Sequence, residues 1–188
     1  MKTLLLSCLL VACFTGLTRA GDFGDRSKTV TEALEAKLNK RAADITASDL
    51  ATVTDLKLPH THIPAFYHND FAGLTKMKKR HFYSLSHKKG QPNEVCAIGD
   101  KVFAKLTGLE ELIVTSDQLG HLPDDVFAGL TSLKVLELTN VTLMRLPKSM
   151  LTLPKIEAVY YDGKGLSKDD YETLKKALGD KLKAKRPK

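Results

Sequence analysis

One apolar phrase recurs along this chain at a nearly constant interval. It reads Leu109-x-x-Leu112-x-Val114, then Leu133-x-x-Leu136-x-Leu138, then Ile156-x-x-Val159-x-Tyr161, with an earlier copy at Val53-x-x-Leu56-x-Leu58. The linking segments repeat as well. Leu119, Leu122, Pro123, Phe127 and Leu130 follow one copy; Leu143, Leu146, Pro147, Met150 and Leu153 follow the next, about 24 residues on. Within each phrase apolar residues alternate with others, which predicts a short strand with one buried face. The later slots turn the chain back over that face. A single copy cannot bury its own apolar side, so the copies must stack on one another. The expected outcome is a curved solenoid with a parallel sheet on its concave side.

This period resembles the leucine-rich repeat, and its longer form, with Leu-Pro and then Phe-x-x-Leu, resembles the 24-residue class of exported receptors and matrix proteins. The resemblance runs from about Val53 to Leu166. It implies an α/β repeat fold, a short solenoid of about five strands with helical caps at both ends. Candidate caps are present. Val30, Leu34 and Leu38 have helical spacing, and Thr46 with Asp49 three residues on forms a variant capping box. Ser167 before Asp170, Tyr171, Leu174 and Leu178, closed by Gly179, predicts a second helix. The cysteine-rich flanks usual in animal exported members are missing, which points to a bacterial source.

The chain therefore divides into a signal segment at residues 1–20, an N-terminal segment and helical cap at 21–52, repeats at 53–166, and a helical cap with a basic tail at 167–188. The signal reading rests on Lys2 followed by an apolar stretch from Leu4 to Phe14, too short for a bilayer span of roughly 20 residues. Thr18-Arg19-Ala20 fits an ordinary peptidase site and would leave Gly21 first. Leu10-Val11-Ala12-Cys13 resembles a bacterial lipobox and would leave a lipidated Cys13, at the cost of an unusually short signal. Either site predicts export, to the periplasm, the outer membrane or the medium. Cys8 and Cys13 fall in that segment, so only Cys96 of the three cysteines stays in the folded part, and a disulfide scaffold is excluded. A hydrophobic fraction of 43% supports a real core. Part of the net charge of +7 comes from the run Lys181 to Lys188, which reads as a solvated tail.

One copy departs from the pattern. After Leu74 the phrase becomes Met77-x-x-Arg80-x-Phe82, which puts a guanidinium in an inward slot. A lone buried charge is costly. Either the strand slips by one residue, or Arg80 finds a partner or an exit. The same copy carries a basic, turn-rich insertion at residues 83–94, and long loops on repeat arrays often carry function.

No catalytic motif stands in the chain: no Gly-x-Ser-x-Gly, His-Glu-x-x-His, phosphate loop or Cys-x-x-Cys. The expectation is a non-enzyme without cofactor. His60-x-His62, with His68, His81 and His87, lacks a third ligand at fixed spacing, so no metal is expected. Lys76, Lys78, Lys79, Arg80, Lys88 and Lys89 cluster on one repeat and its insertion. With no base-stacking motif beside them, nucleic acid is not the expected partner. An anionic envelope polymer, bound through Lys76, Lys78, Lys88 and Lys89, is the alternative function, that of a structural or adhesive envelope protein.

The leading expectation is a protein partner on the concave face. Its outward slots include Lys57, Lys79, His81, Tyr83, Glu111, Ile113, Glu137, Thr139, Tyr160 and Asp162. Stacking repeats bring Lys57, His81, Ile113, Glu137 and Tyr160 into one ladder. Aromatic and mixed-charge side chains of this kind suit a partner surface. The ladder reading depends on strand 77–82 keeping its register, since a one-residue slip would turn His81 inward.

Overall fold

The computed structural model describes residues 26–58, 65–66, 69–82, 97–115 and 119–187. The signal segment, the insertion at 83–94 with Tyr83, Lys88 and Lys89, and Cys96, His60, His62, His68 and His87 lie outside the described residues.

The chain opens with α1 (Lys28–Leu38), whose Val30 and Leu34 are buried on one face. Asn39, left-handed at φ 52°, ends it. Next comes α2 (Ala47–Leu50). Its capping box is reciprocal: the Asp49 N–H donates to Thr46 Oγ1 at 3.2 Å, and the Thr46 N–H donates to Asp49 Oδ2 at 2.9 Å. A buried polar knot ties this N-terminal segment to the repeats. The fully buried Asp70 accepts the Ser27 N–H at 2.5 Å, and Arg26 donates to the carbonyls of Asp70 and Ala72, each at 2.6 Å.

The strands follow as β1 (Ala65–Phe66), β2 (Lys79–Phe82), β3 (Ala97–Ile98), β4 (Glu111–Thr115), β5 (Val135–Thr139), β6 (Ala158–Tyr160) and β7 (Leu182–Lys183), with α3 (Lys168–Leu178) before the last. Five of them form one parallel sheet in the order β2-β4-β5-β6-β7. β1 and β3 make a separate parallel pair. The register settles the doubt about Arg80. Arg80 pairs with Leu112, then Leu136, Val159 and Leu182 continue the row, so Arg80 holds the inward slot and the strand does not slip. Leu112, Leu136 and Val159 have no exposed surface. A second inward row runs Phe82, Val114, Leu138.

Arg80 stays inside by making local contacts. Its guanidinium donates to the Leu56 carbonyl and lies 4.7 Å from the Phe82 ring centroid. Its Nε has no hydrogen-bond partner among the described residues. Burial pulls the group down to about 10, which still leaves it charged at neutral pH. The copy at Val53–Leu58 buries Val53 and Leu56 but is not a strand, which corrects the expectation of a first strand there. The Leu56 carbonyl there accepts from the Arg80 guanidinium.

The far end holds the second correction. The run after α3 is not wholly solvated. Leu182 and Lys183 form the fifth sheet strand beside β6, with the Tyr161 N–H donating to the Lys183 carbonyl at 2.9 Å. α3 brings the chain there: Ser167 caps it by accepting the Asp170 N–H at 3.1 Å, Leu174 and Leu178 are buried, and Gly179 at φ 52° stops it.

Behind the sheet the recurring Phe slot stacks across repeats. Phe71 and Phe103 have centroids 6.3 Å apart, and Phe103 and Phe127 6.4 Å apart. The stacking is tight enough to need glycine at 129: with φ 87°, a Cβ there would sit 2.5 Å from the Ala104 carbonyl oxygen.

Two substitutions test this account by urea unfolding. Leu136→Ala, in a fully buried slot, should cost about 2–5 kcal/mol. Leu182→Ala should cost about 1 kcal/mol, because that side chain is half-buried. An unchanged midpoint for Leu182→Ala means that β7 is no part of the folded unit.

Candidate functional site: the concave face

The outward residues of the sheet form rows fixed by the same register. One row runs His81, Ile113, Glu137, Tyr160, Lys183. Beside it lie Lys79, Glu111, Val135 and Ala158, and on the other side Thr115 and Thr139. So His81, Ile113, Glu137 and Tyr160 are brought together as a ladder. Lys57 is not in it, because no strand forms at its repeat. It lines a separate groove with Glu32, Lys37 and Asp55 against α1. Asp162 lies past the end of β6, exposed, with its Oδ1 accepting the Lys164 N–H at 3.0 Å. Lys183 is the member that sequence reasoning missed.

Polar side chains on this face bind one another. His81 Nε2 lies 3.1 Å from Thr115 Oγ1, and Thr139 Oγ1 donates to Glu137 Oε1 at 2.9 Å. Lys79 Nζ is 2.9 Å from Glu111 Oε2. Ile113 points outward but is only 8% exposed and stands apart from the main core, so its neighbours on this face cover it. It is a floor rather than a contact knob. Burial lowers the His81 pKa below its ordinary 6.5; Lys79 and Arg80 push the same way, while Glu137 and Glu111 oppose them. For Glu111, burial alone would raise the pKa, but hydrogen bonds from Arg186 and Lys79 bring it below the usual carboxylate value.

Arg186 is the unexpected occupant. After β7 the chain folds back across the sheet. Nη1 of Arg186 donates to Glu111 Oε1 on β4, and it reaches Glu137 Oε2 on β5 at 3.3 Å. Its Cζ lies 5.9 Å from the Tyr160 ring centroid. A groove of about 250 Å³ remains between Ala184–Arg186 on one side and Glu137, Tyr160 and Asp162 on the other. Both carboxylates are only 18% exposed, against 37% for the Arg186 side chain. Ion pairs near a surface contribute up to about 1 kcal/mol each. The strap is therefore held, but not locked.

The basic cluster looks different in three dimensions. Lys78 pairs with Glu110 at 2.9 Å, and Lys134 closes on the same carboxylate at 2.9 Å. Glu110 is accordingly lowered to about 2, first by the hydrogen bond from Lys78, then by that from Lys134. Lys79 is paired with Glu111 and Arg80 is buried. Of the four residues expected to bind polymer, Lys76 is exposed, Lys78 is paired, and Lys88 and Lys89 lie outside the described residues. No group of three or more potential metal ligands occurs among the described residues.

Comparison with known proteins places the fold. Residues 93–163 match a family model described as leucine rich repeat. No curated protein matches the sequence. Nine solved chains match the structure. Among them is internalin C2 of Listeria monocytogenes, 18% identical, with a TM-score of 0.55 over 78% of this chain and 60% of that one. This chain thus spans less than two-thirds of that neighbour's length. The family match places leucine-rich repeats at residues 93–163, and the in-phase slots and the parallel sheet carry the same repeat architecture beyond them.

His81 yields a pH prediction with a definite sign. Its folded pKa lies below its ordinary value, so above pH 6.5 the ring is neutral in both states and contributes nothing. As the pH falls through 6.5 the unfolded chain takes the proton first, and stability drops until the folded ring also titrates. Urea midpoints measured from pH 8 to pH 5.5 should fall more steeply for the parent than for His81→Gln. Parallel curves rule the assignment out.

Proposed function

We propose that this protein is a non-catalytic binding module that recognises a protein partner through the concave face of its sheet. The observation that carries this reading is the row His81, Ile113, Glu137, Tyr160, in which an aromatic ring, a titratable ring and a carboxylate converge over an apolar floor. Rings with a polar tip bury much area for little lost freedom, which makes Tyr160 a suitable anchor. The leucine-rich-repeat match at residues 93–163 supports a module of this kind, and the internalin neighbour supports the fold. Pairing of Lys78 and Lys79 with Glu110 and Glu111 reduces the positive surface that polymer binding would use.

The size of the face limits the strength of binding. Five strands at about 4.8 Å spacing make a sheet about 20 Å across. A standard interface buries about 800 Å² on each side. The sheet alone falls short, so the contact extends beyond it, to the insertion at 83–94 or the α1 groove holding Lys57, or several copies act together. Export belongs to the same reading, supported by the pattern of residues 1–20. No helix among the described residues is long and apolar enough to cross a membrane. Mass spectrometry of the protein from its own cells should find Gly21, or a lipidated Cys13, at the mature start.

The test compares faces. The parent chain, Tyr160→Ala, Glu137→Ala and the convex-side control Lys148→Ala are used as bait against an extract of the native cell envelope. A specific partner should be lost with Tyr160→Ala and kept with Lys148→Ala. Retention with both concave variants and loss with Lys148→Ala puts the site on the wrong face.

A further inference from the structure

The ordinary fate of a basic run such as Lys181–Lys188 is full solvation, and nothing in the repeat architecture requires it to return to the sheet. It returns nonetheless. Arg186 lies over the centre of the concave face and engages carboxylates on two adjacent strands, Glu111 and Glu137, with the Tyr160 ring at its side. The two glutamates stand in different rows, so they face one guanidinium diagonally across β4 and β5. Both contacts run through the one nitrogen Nη1, and the guanidinium also lies beside the Tyr160 ring, so the cradle favours a flat cation that meets the ring as well as the carboxylates.

We propose that Glu111, Glu137 and Tyr160 form an arginine-reading cradle for an exposed basic segment of a protein partner, and that Arg186 fills it in cis until that segment displaces it. This rests on the concave face being the partner surface. The reasons are on the face itself. Its centre presents two adjacent carboxylates, Glu111 and Glu137, in a chain that is basic overall, so a basic segment finds its counter-charges here. Both carboxylates are mostly covered, which strengthens a charge-assisted contact compared with a fully exposed pair. The groove between Ala184–Arg186 and Tyr160 leaves room beside the strap, so an incoming chain gains a first hold before the strap lifts. A tethered ligand raises the threshold for any competitor, because its effective concentration is of millimolar order for short connections.

The experiment uses the full chain and the tetrapeptide Ala-Lys-Arg-Pro, the sequence of residues 184–187, blocked at both ends. It is titrated against the parent, Arg186→Ala, and Arg186→Ala combined with Glu137→Gln, following the amide shifts of the concave strands by NMR. A second tetrapeptide has alanine in place of its arginine. The expected result is saturable binding to Arg186→Ala, at least about tenfold weaker binding to the parent, and loss of saturation with Glu137→Gln or with the alanine peptide. Equal binding to parent and Arg186→Ala overturns the cis occupancy. Equal binding of the two peptides, or no saturable binding to Arg186→Ala, overturns the arginine cradle. If the cradle fails while Tyr160→Ala still loses the envelope partner, the concave face stands and only its ligand chemistry is wrong. If both fail, the face itself is wrong.

Discussion

Each repeat buries its apolar face only against the repeats beside it, and in-register parallel pairing makes that possible. The row Leu112, Leu136, Val159 places three side chains one strand spacing apart with no solvent between them. A slip of one residue anywhere would turn those side chains out and Glu111, Glu137 and Tyr160 in. The core and the concave face are thus two sides of one constraint. Whatever holds leucines inside also sets the distance between the carboxylates outside. The Phe71, Phe103, Phe127 stack and the glycine at 129 enforce the same spacing from the back of the array.

The two ends of the sheet are finished by different means. At the β2 end a charged residue sits where the pattern wants leucine. Arg80 contacts the Leu56 carbonyl and the Phe82 ring, and the ladder stops there among the described residues. A sheet edge that runs on invites pairing with another chain, and a buried guanidinium at the edge is one way of ending it. At the β6 end the finish is a strand borrowed from beyond α3. Leu182 takes the next inward slot, and Lys183 extends the outward row.

Much of this was legible in the sequence, for a physical reason. Leucines in phase report burial directly, so the solenoid, the outward row from Ile113 to Tyr160 and both helices follow from the spacing, while the place of His81 in that row needed the register of β2. The capping residues Thr46, Asp49 and Ser167 were equally readable, because their chemistry is local. What could not be read depends on contacts between distant segments. Leu182 is one apolar residue in a basic run, and only the open edge of β6 makes it a strand. Conversely, Val53-x-x-Leu56-x-Leu58 has the right letters but forms no ladder, and its Leu56 carbonyl meets the Arg80 guanidinium. Ile113 was legible as outward but not as covered, because its cover comes from neighbouring side chains on the same face. The lone Leu182 was the single available hint of β7.

The borrowed strand also changes how the charge of the chain is read. A basic tail taken as solvent-exposed adds to a positive field that would draw the protein to any anionic surface. Here part of that charge is spent internally. Arg186 meets Glu111 and Glu137, Lys79 meets Glu111, and Lys78 and Lys134 share Glu110. Formal net charge therefore overstates the attraction of this face for polyanions. What it displays is an alternating pattern, with acidic groups at the centre and cations that bridge them. Such a surface discriminates by arrangement rather than by sign. On the proposed reading a partner would gain by replacing Arg186 with a cation in the same place, and would gain little by charge alone.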